Sequence, residues 1–82
     1  MKELLIKVRD YIKTEEGFCG LCATVWEMCG DDKITKEEYG ELKKWLNDVR
    51  ESKGKMHADY FWKTGFKSPR IVFLNKEIKK LS

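Results

Sequence analysis

The segment from Phe18 to Cys29 is apolar on almost every side of a helix, with Phe18, Leu21, Cys22, Val25, Trp26, Met28 and Cys29 interrupted among charged residues by Glu27 alone. Such a segment has no polar face to offer water, so it predicts a buried central helix with the rest of the chain arranged around it. It is far shorter than the roughly 20 residues that cross a bilayer. At 82 residues the chain is one domain's worth. A domain of that size buries only about 60–65% of the surface its unfolded chain exposes. A thin core and association into a homo-oligomer are therefore expected.

Helical periodicity accounts for most of the remainder. Met1, Leu4, Leu5, Val8, Tyr11 and Ile12 form one face of a first helix, with Lys2, Lys7, Arg9 and Lys13 on the other. The second helix should run over 18–29, with Gly30 as the left-handed residue that stops it. Thr35-Lys36-Glu37-Glu38 is a capping box, in which hydroxyl and carboxylate each satisfy the other residue's amide. The third helix should follow over 36–52, burying Tyr39, Leu42, Trp45, Leu46 and Val49. Ser68-Pro69 predicts a fourth helix over 69–81, with serine as N-cap, proline in the first turn and a buried stripe of Ile71, Leu74, Ile78 and Leu81. The expected fold is mainly α: a compact bundle of about four helices, single-domain over 1–82. A long aromatic and basic connection, in which Tyr60-Phe61-Trp62 would suit a short strand, precedes the last helix.

Charge is divided unevenly along the chain. Residues 1–52 hold nine basic and twelve acidic side chains, and residues 53–82 hold eight basic and two acidic, within a net charge of +3. The basic rear predicts an anionic partner or contact with the acidic front of another copy. Four of the ten aromatic residues and five basic ones lie between 53 and 70, against one acid, Asp59. His57, Tyr60, Trp62, Lys63, Lys67, Ser68 and Arg70 form the candidate ligand site. The first amides of the fourth helix are unpaired and carry the positive end of its dipole. Arg70 would add a two-pronged donor for phosphate or carboxylate, and Trp62 or Tyr60 a surface for a base. The competing reading closes a thin core with the aromatics and leaves the lysines in water, with Arg70 paired to an acid such as Asp59.

Other constellations are weaker. Cys19, Cys22 and Cys29 with His57 have the residue types of a Cys3His zinc site, but spacings of three and seven put the cysteines on one helical face with Trp26, where cysteine acts as a small hydrophobe. Gly30 to Glu38 matches the back half of a calcium-binding EF-hand loop. The front half fails, because Asp32 stands at the glycine position and Cys29 at a ligand position. No cofactor is expected. With one histidine, no glycine-rich phosphate loop and no nucleophile elbow, catalysis is not expected either. Arg9 and Asp10 stand where a signal peptide needs its apolar centre, so the expected location is the cytosol, away from membranes.

Gly17-Phe18-Cys19, Thr35, Glu38-Tyr39, Tyr60-Phe61-Trp62, Gly65, Pro69-Arg70, Phe73-Leu74 and Ile78 together resemble small accessory proteins of tailed bacteriophages and prophages, over roughly residues 17–81. The resemblance implies a setting in the host bacterial cytosol, where such proteins counter host defences by sequestering a nucleotide signal or blocking a host protein. Within it, Trp62, Pro69 and Arg70 look like the signature, while the Cys19–Cys22 pair has no place in the pattern. The expected function is non-enzymatic sequestration of an anionic, nucleotide-like small molecule. The alternatives are inhibition of a host protein and, third, nucleic-acid binding.

Overall fold

A computed structural model of the chain describes residues 1–14, 20–53 and 67–82, with the backbone alone at 50, 52, 53 and 67–69. Four helices are present among these residues: α1 (Lys2–Thr14), α2 (Leu21–Gly30), α3 (Lys36–Lys53) and α4 (Lys67–Lys80). The chain is mainly helical and compact, with a radius of gyration of 11.6 Å, close to the roughly 12 Å of a well-packed chain this long. α1 packs along α4 and also meets α2, and α2 packs on α3. No helix among the described residues is long and apolar enough to cross a membrane.

The core follows the helical periodicity. Leu4, Leu5, Val8 and Ile12 of α1 meet Leu21, Val25 and Met28 of α2, Leu42, Leu46 and Val49 of α3, and Leu74 and Ile78 of α4 in one buried cluster, which Ile34 of the α2–α3 turn joins. Polar links tie the surface of this cluster. Arg9 Nη1 donates to Asn75 Oδ1 at 3.0 Å, joining α1 to α4. The Tyr11 hydroxyl donates to Asp31 Oδ2 at 2.9 Å, joining α1 to the end of α2.

Both ends of the α2–α3 turn are capped. The Lys33 amide donates to the Met28 carbonyl (2.9 Å) and the Asp32 amide to that of Cys29 (3.2 Å). This nested pair closes a helix with one left-handed residue beyond it. That residue is Asp32, at φ 57°, and not Gly30, which is the last residue of α2. An aspartate tolerates the left-handed region better than most residues, so the chain needs no glycine there. The capping box forms as its spacing predicts. The Thr35 amide donates to Glu38 Oε1 at 2.9 Å, and the Glu38 amide to Thr35 Oγ1 at 3.1 Å.

Other departures concern faces and ends. α2 is not buried all round: Leu21, Thr24, Val25 and Met28 are inside, Cys22 and Cys29 are half-buried, and Trp26 is 66% exposed. Among the described residues, α2 has neighbours enough to cover one side and no more. Tyr39 and Trp45 are half-buried, and the Trp45 ring lies 6.0 Å from that of Phe73, tilted against it. α4 begins at Lys67, ahead of Pro69. Ser68 is thus inside the first turn and is not its N-cap. Proline remains acceptable at the third position, because the amides of a helix's first turn have no acceptor within it. Leu81 lies beyond the last turn of α4 and is 49% exposed, so it leaves the expected stripe. The expected aromatic connection and its strand fall at 54–66, outside the described residues.

Candidate functional site

Of the residues expected to hold a ligand, His57, Tyr60, Trp62 and Lys63 lie outside the described residues, and Ser68 and Lys67 are described by backbone alone. The remaining one, Arg70, has no exposed surface. Its Nη1 donates to Thr24 Oγ1 at 2.8 Å, and that hydroxyl donates in turn to the Gly20 carbonyl at 3.0 Å. A hydroxyl has one proton to give and two lone pairs to accept with, so the relay is self-consistent in direction. Thr24 is itself fully buried. Arg70 therefore ties the first turn of α4 to the start of α2, whose Gly20 cap offers no side chain for that end. Where an exposed guanidinium is expected at the mouth of an anion site, the structure has an enclosed one without a surface for a ligand to touch.

The open surface lies on the other side of α2. A half-open groove of about 380 Å³ runs between α2 and α3, lined by Cys22, Ala23, Val25 and Trp26 from α2 and by Tyr39, Lys43, Leu46 and Asn47 from α3. Its volume falls within the range of about 300–1,000 Å³ typical of small-molecule pockets. The wall is mainly apolar. Spacings of four explain its composition: Cys22 and Trp26 share one edge of α2, while Tyr39, Lys43 and Asn47 share one edge of α3. A ring, a cation and an amide thus follow one another about 6 Å apart along α3. Lys43 is exposed and makes no ion pair with a described residue. A largely exposed tryptophan leaves roughly 2.5–4 kcal/mol of burial free energy unrealised. That surface is available to a ligand.

The acidic turn is otherwise engaged. Asp31 accepts from Tyr11, and Glu38 is held below the ordinary glutamate value of 4.5, chiefly by the Thr35 amide and further by Lys7, whose Nζ lies 3.4 Å from Oε2. Among the described residues, no three His, Cys, Asp or Glu side chains come together as a metal site. Cys22 and Cys29 are thiols two helical turns apart, about 10 Å along the axis and beyond disulfide reach, and Cys19 lies outside the described residues.

The sequence reading missed this groove because it assigned every apolar residue of α2 to the core. The sequence carried no signal to single out Trp26, because apolar residues stand on every side of α2 and only its packing, with Leu21, Thr24, Val25 and Met28 inside, shows which face is open. Comparison with protein-family models, curated proteins and solved structures gives no match to this chain.

Proposed function

We propose that the protein is a non-catalytic binder that captures an anionic, nucleotide-like small molecule and keeps it from its receptor. The setting is that of the phage accessory proteins it resembles, in the host cytosol, and the working form is a homo-oligomer. The observation that carries this reading is the α2–α3 groove, where Trp26 and Tyr39 supply aromatic surface, Lys43 a cation and Asn47 a paired donor and acceptor within one ligand-sized space. Stacking on an aromatic side chain contributes about 1–3 kcal/mol per base. The basic, aromatic stretch of Tyr60, Trp62 and Lys63 is a second candidate seat for the same ligand.

A second reading, inhibition of a host protein, is favoured by the exposure of Trp26. A large exposed ring flanked by apolar neighbours is also the pattern of an interface anchor. Native mass spectrometry of protein isolated from cells in which it acts separates the two. A retained small mass with nucleotide absorbance is expected, whereas a retained polypeptide would replace sequestration with inhibition.

A further inference from the structure

α2 offers two faces for burial, and they differ by one residue. The face that lies inside is Leu21, Thr24, Val25 and Met28. Advancing each position by one gives Cys22, Val25, Trp26 and Cys29, the same spacing turned by about 100° around the helix. This second face is wholly apolar, whereas the first contains a threonine. The two are alike in bulk, since a tryptophan and two cysteines fill nearly the volume of a leucine, a methionine and a threonine. Exchanges that conserve volume are the best tolerated in a core. Apolar area gives little preference either. Turning the helix would cover the largely exposed Trp26 and the half-buried cysteines while uncovering Leu21 and Met28.

Hydrogen bonding does distinguish the faces. The Thr24 bond to the Gly20 carbonyl lies within the start of α2 and turns with it. The bond from Arg70 Nη1 to Thr24 Oγ1, 2.8 Å between two fully buried residues, is anchored on α4 and does not turn. On the second face Val25 would take the place of Thr24, and that guanidinium N–H would face carbon. The Tyr11 bond to Asp31 also reaches the end of α2, but it is exposed, where water can replace it. We infer that the Arg70–Thr24 pair selects the buried face of α2, and so makes the groove by holding Trp26 outward. Thr24 and Trp26 stand two residues apart, nearly opposite each other on the helix. Arg70 and Thr24 are thus positioning residues for the α2–α3 groove, whatever that groove takes. A polar residue buried in a helical core fixes register in the same manner elsewhere.

The test follows the Trp26 indole N–H in proton–nitrogen NMR spectra of the full chain, with a neutral soluble nitroxide as the probe of exposure. The chain has three tryptophans, and Trp26→Phe assigns the signal. In wild type the nitroxide should broaden it. Thr24→Val should add a second Trp26 signal that the nitroxide spares. The ratio of protected to open signal, read by saturation transfer where the protected one is minor, should rise about 10- to 150-fold, the equivalent of one hydrogen bond to a charged group. Thr24→Ser keeps the hydroxyl and should keep the wild-type ratio. Thr24→Ala removes the same bonds with better helix propensity, and replaces the valine variant if circular dichroism shows that variant unfolded. A folded variant without the hydroxyl whose ratio moves less than threefold overturns the inference. Loss of helix in both variants overturns it too, because the pair would then hold the fold and not the choice of face.

Discussion

Thr24 shows how much can depend on one small buried hydroxyl. It accepts from Arg70 and donates to Gly20, so a single oxygen serves both a charged donor from α4 and a carbonyl at the start of α2. Thr24→Val keeps the shape and removes both bonds. One guanidinium N–H would then be enclosed without that acceptor, at a cost of about 1–3 kcal/mol. Chemical denaturation of the variant should show the loss, and an unchanged midpoint would mean that Arg70 does not depend on Thr24. Glu38 gives a residue-scale pH effect. Its carboxyl titrates below the ordinary value because its charged form accepts from the Thr35 amide and faces Lys7. A depressed folded-state value means that its contribution is complete above the unfolded-state value and is lost as pH falls through the folded one. Acid should therefore weaken the start of α3 in wild type. In Glu38→Gln, where the group no longer titrates, this pH dependence should be absent, read from exchange of the Thr35 and Glu38 amides. Neither Arg70's burial nor Thr24's relay could be read from composition. Arginine at a helix start is ordinarily a surface residue, and only tertiary packing encloses this one.

At the scale of the helix, α3 contains a weakness that can be corrected. Gly40 lies in its second turn, exposed, and a methyl group added there would meet nothing within 4 Å. Gly40→Ala should raise stability by about 0.5–1 kcal/mol, seen as a higher melting temperature. A decrease would show that the open space beside Tyr39 is filled by something the helix alone does not reveal. The helices themselves were largely readable in advance. α1 and α3 carry unambiguous apolar stripes and a capping box, and both begin where these signals place them. α2 was readable as a helix but not as a face. Seven apolar residues over two and a half turns give no direction, and only tertiary contacts decide that Val25 points in and Trp26 out. At the start of α4, serine and proline were read as cap and first residue, although proline's missing amide is acceptable anywhere in the first turn. The periodic signal there was too weak to choose between the two.

For the whole molecule, the arrangement separates two tasks. The buried cluster and the Arg70–Thr24 tie hold α2 from one side, which leaves the opposite side free to form a groove with α3. The charge asymmetry along the chain was plain in the sequence and pointed to the basic rear as the ligand's place, yet the ligand-sized space among the described residues lies in the acidic front half. These two seats make opposite demands on two tryptophans. The measurement that decides between them compares small-molecule retention by wild type, Trp26→Ala and Trp62→Ala, each isolated from the same cells and examined by native mass spectrometry beside its melting curve. Trp26 is 66% exposed, so its truncation should leave the melting temperature nearly unchanged. Trp26→Ala should lose the retained small molecule while staying folded. A folded Trp26→Ala protein that retains it in full, with Trp62→Ala losing it, would contradict the placement of the ligand between α2 and α3.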